Sequence, residues 1–218
     1  MAGVRVKICG ITNEADAQES VRAGADSLGF NFYSKSPRCI AENLAADILK
    51  NLPPSVEPVA LFVEESFARM TATCQRLGPV HTIQYHGAGL EPPPSSAFRF
   101  IPAFGVADAT NLSGILRFVE RCRQAGHLPA AILLDASIPG MHGGTGQTAP
   151  WNLLADFQPG VPVILAGGLT PENVAEAIRI VQPYAVDVAS GVESSPGRKD
   201  PDKVRRFIVQ ARAAAAQI

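Results

Sequence analysis

Several features that mark membrane, secreted and nucleic-acid-binding proteins are missing from this sequence of 218 residues. There is no run of about 18 consecutive apolar residues, so no transmembrane helix is predicted. The N-terminus lacks the apolar core of roughly 7 to 15 residues that marks a signal peptide. The formal net charge is −1 and there is no basic stripe. We therefore predict no membrane association and no nucleic-acid partner.

Cysteine is scarce, with four residues and no CxxC pair. The scatter argues against a zinc site and against a disulfide framework, and it favours a reducing, cytoplasmic environment. Cys39, Cys74 and Cys122 have no chemical setting, so we interpret them as packing residues. Cys9 differs because it directly follows an apolar segment and precedes a glycine.

The sequence does contain a regular succession of short apolar runs, spaced by roughly 20 to 30 residues. Most are nearly continuous in apolar residues, which is typical of parallel strands that are buried on both faces. The predicted strands are residues 4–9, 27–32, 58–63, 80–84, 98–104, 130–135, 161–166 and 185–189.

Helix signals lie between these runs. Asn13, Ser66, Thr170 and Asp200 stand at N-cap positions, and Pro171 would occupy the first position of its helix. A glycine-bearing segment at residues 141–149 is predicted to be a long functional loop. The predicted helices are residues 13–22, 66–77, 107–125, 170–181 and 201–214.

Eight strands that alternate with helices, without a linker, predict one (β/α)8 TIM-barrel domain over residues 1–218. Three consecutive prolines at residues 92–94 exclude a regular helix there, so the fourth helix should be irregular. A doubly wound open sheet is the alternative, but no GxGxxG motif follows the first strand.

Active residues of such barrels lie at the C-terminal ends of the strands. Cys9, His86 and Asp135 follow the first, fourth and sixth predicted strands. A thiolate can act as a base, and a partly desolvated carboxyl can donate a proton near neutral pH. Each residue also has a structural interpretation: a small packing residue, a buried histidine and a loop cap. Lys7 shares its side of the strand with Cys9.

Three glycine-bearing segments are candidates for an anion site, because glycine lets backbone N–H groups approach a ligand closely. They are GGTG at 143–146, AGGL at 166–169 and SGVE at 190–193. Phosphate sites after strands seven and eight recur in this fold, although a glycine turn alone is often only a turn. Arg38 could hold a carboxylate bidentately or be a solvated loop residue.

Six segments carry a family resemblance: KICGIT (7–12), GADSLGFNFYSKSPR (24–38), QYHG (84–87), LLDASIPGMHGGTG (133–146), LAGGLTPENV (165–174) and VDVASGVESSPGRKD (186–200). In this order they resemble the phosphoribosylanthranilate isomerase family over nearly the whole chain. The resemblance implies a cofactor-independent and metal-independent aldose–ketose isomerase of tryptophan biosynthesis. Its reaction would be the Amadori rearrangement of N-(5-phosphoribosyl)anthranilate to 1-(2-carboxyphenylamino)-1-deoxyribulose 5-phosphate.

The same resemblance implies residue roles. Cys9 matches the general base and Asp135 the general acid, while Arg38 matches the residue that holds the anthranilate carboxylate. Two departures concern affinity, because Gln147 stands where the family often has lysine and Ala189 where it often has serine. The remaining matches are His86 and Asp187 beside the substrate, and the backbones of Gly168, Ser190 and Gly191 around the phosphate.

Three other functions are weighed against this one. Indole-3-glycerol-phosphate synthase would need lysines at strand ends, but the third strand ends FVEE. A dual-substrate isomerase that also serves histidine synthesis usually ends its first strand in aspartate, where this chain has Cys9. A sensor that only binds a phosphorylated ligand would not need both Cys9 and Asp135. A small-molecule substrate and a monomer or homodimer are therefore expected.

Overall fold

The computed structural model describes residues 3–87, 90–93, 97–136 and 151–218. Eight parallel strands pair in chain order, and β1 pairs with β8 to close a barrel. This confirms the predicted (β/α)8 fold and excludes the open sheet. The strands are β1 (Arg5–Cys9), β2 (Ser27–Asn31), β3 (Glu57–Val63), β4 (Thr82–His86), β5 (Arg99–Gly105), β6 (Ile132–Asp135), β7 (Val163–Ala166) and β8 (Ala185–Val188).

The observed strands begin and end within one or two residues of the predicted ones. A short antiparallel pair follows β8 and consists of β9 (Glu193–Ser195) and β10 (Arg198–Lys199). The helices are α1 (Glu14–Ala23), α2 (Glu42–Lys50), α3 (Phe67–Leu77), α4 (Ala109–Gln124), α5 (Trp151–Leu154), α6 (Val174–Val181) and α7 (Pro201–Ala215).

Three predicted N-caps are confirmed by hydrogen bonds. The side chains of Asn13, Ser66 and Asp200 each accept from backbone N–H groups in the first turns of α1, α3 and α7. Helix α2 has Ala41 at its N-cap and no side-chain cap bond, so the sequence carries no start signal for it.

The predicted start of α6 at Thr170 is wrong. Residues 170–173 form a turn, and the helix begins at Val174. The Asn173 side chain accepts from the backbone N–H of Thr170 (2.8 Å) and donates to the carbonyl of Gly168 (2.9 Å). These local bonds compete with helical ones and hold the segment as a turn beside β7.

The described residues between β4 and β5 contain no helix, so within them even an irregular fourth helix is absent. Pro92 and Pro93 are among these residues, whereas Pro94 lies outside them. The predicted functional loop at 141–149 also lies outside the described part of the chain. None of the helices in the described ranges combines the length and the hydropathy of a membrane span.

The core has two layers, because alternate residues of each strand point to opposite faces of the sheet. One layer packs between the sheet and the helices and includes Ile132, Leu134 and Leu165. The other includes Ile101, Leu133 and Ile164, and by strand alternation it fills the barrel interior.

All four cysteines are free, so no pair of them forms a disulfide bond. Cys74 and Cys122 are buried within α3 and α4, which confirms that they are packing residues. Cys39 is exposed after β2, so its interpretation as a packing residue is wrong.

The capping box of α4 offers a test of local stability. The Asp108 side chain accepts from the backbone N–H groups of Thr110 and Asn111, and the Asn111 side chain accepts from the Asp108 N–H. Replacing a capping aspartate with alanine costs about 1 kcal/mol. We expect Asp108→Ala to lower the urea midpoint of unfolding accordingly. Asp156→Ala, at an exposed aspartate outside any helix, is the matched control; equal midpoints for the two variants would contradict the cap.

Candidate active site

A cavity of about 290 Å³ lies at the C-terminal ends of the strands. Residues from distant parts of the chain meet there because all eight strands run in the same direction around one barrel. Eight residues predicted for the site line this cavity: Cys9, Arg38, His86, Asp135, Gly168, Asp187, Ser190 and Gly191.

Cys9 shares its surroundings with a buried ion pair. The β1–β8 register places Lys7 opposite Asp187, and Lys7 Nζ donates to Asp187 Oδ1 at 2.8 Å. Gly29 faces Cys9 in the neighbouring strand. A Cβ at Gly29 would lie 2.7 Å from Cys9 Sγ and 3.0 Å from Lys7 Nζ, so thiol and ammonium pack against the same bare backbone.

Two opposing effects act on the Cys9 thiol. Burial raises its pKa above the ordinary value, because a thiolate is poorly solvated there, while the positive charge of Lys7 acts to lower it. Burial alone would lower the pKa of Lys7, but Asp187 and the thiolate form of Cys9 more than offset this and raise it. Lys7 therefore stays charged and can stabilise a Cys9 thiolate.

His86 is held neutral. Burial lowers the pKa of its imidazole, and the charge of Lys7 acts in the same direction. Its Nε2 lies 2.8 Å from the amide nitrogen of Gln84. The other amide atom, Gln84 Oε1, is buried and has no hydrogen-bond partner among the described residues. Gln84 also lines the cavity.

Sequence reasoning missed Gln84, although a signal existed. Thr82, Gln84 and His86 alternate along β4 and therefore point to one face of the sheet. A buried polar stripe inside a barrel needs partners, and a ligand can supply them.

Asp135 ends β6, half-buried, and its backbone carbonyl accepts from the N–H of Val106 at 2.9 Å. The segment after it, residues 137–150, lies outside the described residues. The predicted GGTG site at 143–146 and Gln147 belong to that segment.

The glycine segments after β7 and β8 meet at close range. A Cβ at Gly191 would lie 1.8 Å from the carbonyl oxygen of Leu169, so only glycine fits. Gly168 has a φ of 63°, and a Cβ there would meet no atom within 4 Å. A single 3-10 turn, Ser190–Val192, follows β8. Gly168, Ser190 and Gly191 thus surround one open space, which we call the cradle.

Arg38 has a partner that the sequence did not predict. Its Nε donates to Glu193 Oε1 at 2.8 Å and its Nη2 to Glu193 Oε2 at 2.6 Å. Ser36 holds the loop, because its Oγ accepts from the Arg38 backbone N–H at 3.1 Å. The Nη1 group makes no hydrogen bond to any described residue, so one edge of the guanidinium remains for a ligand.

No group of three or more His, Cys, Asp or Glu side chains that could hold a metal ion occurs in the described part of the chain. The described side chains that line the cavity include a thiol, carboxyls, an imidazole and a guanidinium.

A protein-family model covers most of the chain. The family model described as N-(5'phosphoribosyl)anthranilate (PRA) isomerase matches residues 6–210. The chain belongs to this family. It is 48% identical to the N-(5'-phosphoribosyl)anthranilate isomerase of Geobacter metallireducens, over 96% of this chain and 100% of that protein.

Solved structures of the isomerase family superpose well on the barrel. The phosphoribosyl anthranilate isomerase of Thermotoga maritima has a TM-score of 0.83 at 38% identity, covering 96% of this chain and 99% of that one. A second isomerase structure contains reduced 1-(o-carboxyphenylamino)-1-deoxyribulose 5-phosphate. It has a TM-score of 0.79 at 36% identity, with the same coverage. The match favours the isomerase family over indole-3-glycerol-phosphate synthase and over a sensor.

The cradle can be tested for anion binding with two matched variants. Asn and Asp both tolerate the positive φ of Gly168 and have nearly the same shape. If the cradle holds phosphate, Gly168→Asp should raise the inhibition constant of inorganic phosphate by roughly 10-fold more than Gly168→Asn, because only Asp adds a like charge. Competitive inhibition of the isomerase reaction measures this. Equal constants for the two variants would remove phosphate from the cradle.

Proposed function

We propose that this chain converts N-(5-phosphoribosyl)anthranilate to 1-(2-carboxyphenylamino)-1-deoxyribulose 5-phosphate, an Amadori rearrangement of tryptophan biosynthesis. The observation that carries the proposal is one cavity, in a barrel of the isomerase family, that is lined by a thiol, a carboxyl, an arginine and a glycine cradle. The reaction is an intramolecular oxidoreduction in which C1 is reduced and C2 oxidised. It needs no external oxidant or cofactor.

Ring opening is the first step. Asp135 donates a proton to the furanose ring oxygen as the bond between that oxygen and C1 breaks. The anilino nitrogen supplies the electron pair that forms a C1=N iminium ion. Asp135 fits this role because it lies at the end of β6, facing the cavity and partly shielded from water.

Enolisation is the second step. The Cys9 thiolate takes the proton from C2, the C–H electrons form a C1=C2 double bond, and the iminium nitrogen recovers its electron pair. The resulting enolamine tautomerises to the ketone at C2 as C1 gains a proton. Because the iminium acidifies the C2–H bond, a base of modest strength suffices.

Other groups that line the cavity suit the two anionic ends of the substrate. The free edge of Arg38 suits the anthranilate carboxylate, and the backbone N–H groups of Gly168, Ser190 and Gly191 suit the phosphate. Neutral His86 and ionic Asp187 remain for the sugar hydroxyls between them. A cytoplasmic location, one domain and a monomeric or homodimeric state complete the proposal.

Two variants test the division of labour. Cys9→Ser replaces the base with a far weaker one, and Asp135→Asn removes the acid, so each should lower kcat by roughly 10²- to 10⁴-fold or more. The assay follows the loss of the substrate's anthranilate fluorescence. Cys39→Ser, at an exposed free cysteine, and Asp156→Asn are matched controls that should keep wild-type rates. Near wild-type kcat in Cys9→Ser would assign the base to another residue.

The proposed role of Lys7 predicts the pH dependence of Cys9 alkylation. Because the ammonium favours the thiolate, Lys7→Met should raise the pKa of Cys9 further. Asp187→Asn should lower the pKa of Cys9, since the carboxylate of Asp187 disfavours the thiolate. The measurement is the iodoacetamide alkylation rate against pH, in a Cys39→Ser background. Shifts in the same direction for both variants would exclude this electrostatic control, and exposed Lys50→Met is the control.

A further inference from the structure

The hairpin of β9 and β10 buries two charged side chains that the proposed chemistry does not use. The exposed fraction of the side chain is 5% for Glu193 and 1% for Lys199. Ionised groups are rarely buried this deeply, because the loss of hydration costs several kcal/mol unless partners compensate. A buried carboxylate next to the cavity is therefore a candidate for a functional role.

Glu193 is fully engaged by two cations. Its Oε1 accepts from Arg38 Nε at 2.8 Å and from Lys199 Nζ at 2.9 Å, and its Oε2 accepts from Arg38 Nη2 at 2.6 Å. Burial alone would raise the pKa of Glu193, but these hydrogen bonds hold it below its ordinary value. The carboxyl is therefore ionised, and Glu193, Arg38 and Lys199 together carry one net positive charge.

The geometry divides the guanidinium into two edges. Glu193 occupies the edge formed by Nε and Nη2, while Nη1 makes no hydrogen bond to any described residue, which leaves the edge formed by Nη1 and Nη2 to bind a second carboxylate. Arg38 lines the cavity and Glu193 does not, so Glu193 approaches from behind. A guanidinium that is held on one edge keeps its plane fixed and presents the other edge in a defined direction.

The position of Glu193 is itself fixed by backbone contacts. Thr12 Oγ1 donates to the carbonyl of Gly197 at 2.6 Å, and a Cβ at Gly197 would lie 2.9 Å from the carbonyl oxygen of Pro37. Lys199 Nζ also donates to the carbonyl of Ala189 at 3.1 Å, directly before the cradle. The hairpin thus packs on the loop that carries Arg38 and is tied to the cradle.

We propose that Glu193 is a positioning residue, which orients Arg38 so that its free edge receives the carboxylate of the substrate. The inference rests on the proposed role of Arg38 in carboxylate recognition. Two effects of Glu193 oppose each other. Its negative charge repels the incoming carboxylate. Its two hydrogen bonds already order the arginine side chain, so that less conformational entropy is lost when the substrate binds. Lys199 offsets the repulsion, so orientation dominates.

The test compares two ligands that differ only in the carboxylate. One is reduced 1-(o-carboxyphenylamino)-1-deoxyribulose 5-phosphate, and the other is the same compound made from aniline. Glu193→Gln should weaken binding of the first roughly 10-fold or more, which is the range of one charge-assisted hydrogen bond, and leave the second within about 2-fold. Titration calorimetry gives both dissociation constants. A general structural defect would weaken both ligands alike.

Glu57→Gln is the matched control. Glu57 also accepts from two arginines, Arg5 and Arg99, but it begins β3 at the opposite end of the barrel. It should change neither dissociation constant. If Glu193→Gln does not fold, Glu193→Gln/Lys199→Met removes both charges of the buried pair together, and the same selective loss is expected.

Arg38→Ala separates failure of this inference from failure of the proposed function. The positioning role is supported if Arg38→Ala weakens binding of the carboxylate ligand only, and if adding Glu193→Gln to Arg38→Ala weakens that binding no further. If Arg38→Ala loses the carboxylate ligand selectively but Glu193→Gln binds it unchanged or more tightly, only the role of Glu193 is overturned. If Arg38→Ala binds both ligands as the wild type does, the carboxylate site itself is wrong, and the inference fails with it.

Discussion

Closure of the barrel by β1 and β8 is the constraint on which the site depends. The pairing brings together strands from the two ends of the chain, so that Lys7 and Asp187, 180 residues apart, form a 2.8 Å hydrogen bond. The same pairing places Cys9, at the end of β1, next to β8, which is followed by Ser190 and Gly191 of the cradle. Arg38 and Glu193, 155 residues apart, meet for the same reason. A shift of one residue in this register would turn Lys7 and Cys9 out of the barrel.

Buried ion pairs form a large part of the architecture around the cavity, although such pairs contribute little net stability. The desolvation of the charges offsets most of the Coulomb energy of the pair. Removing one partner destabilises the fold far more than replacing both partners with apolar residues. Lys7 with Asp187 and Lys199 with Glu193 are nearly inaccessible to solvent. Both pairs lie at or beside the catalytic end of the barrel, where fixed charge positions matter more than stability. Their most direct explanation is preorganisation of the groups that meet the substrate.

Many of the residues that line the cavity could be predicted from the sequence, because one rule connects strand ends to active residues in this fold. Cys9, Asp135 and Asp187 needed only the strand assignment, and the orientation of Lys7 needed only alternation along β1. The roles of acid and base came from the family resemblance instead.

Other features depend on contacts between distant segments or on local competition. The partnership of Arg38 with Glu193 follows from the closed barrel and from the packing of the hairpin, neither of which a linear pattern reports. The start of α6 depends on the hydrogen bonds of the Asn173 side chain, which here bind the backbone of Thr170 and Gly168 and stabilise a turn. The same residues could also form the first turn of a helix. Residue type alone could not decide between them.

The raised pKa of Cys9 is compatible with its proposed role as a base, once the order of the steps is considered. In the resting protein, Lys7 is shared between Asp187 and Cys9, so one cation faces two potential anions and burial favours the neutral thiol. In the proposed mechanism, ring opening creates an iminium cation next to Cys9, which lowers the pKa of the thiol, so that the thiol can release its proton to solvent and form the thiolate. The thiolate in turn stabilises the iminium, so each charge favours the other. The fraction of Cys9 that is present as thiolate therefore increases when the C2 proton becomes acidic, and before that step the thiol stays largely protonated and protected from alkylation and oxidation.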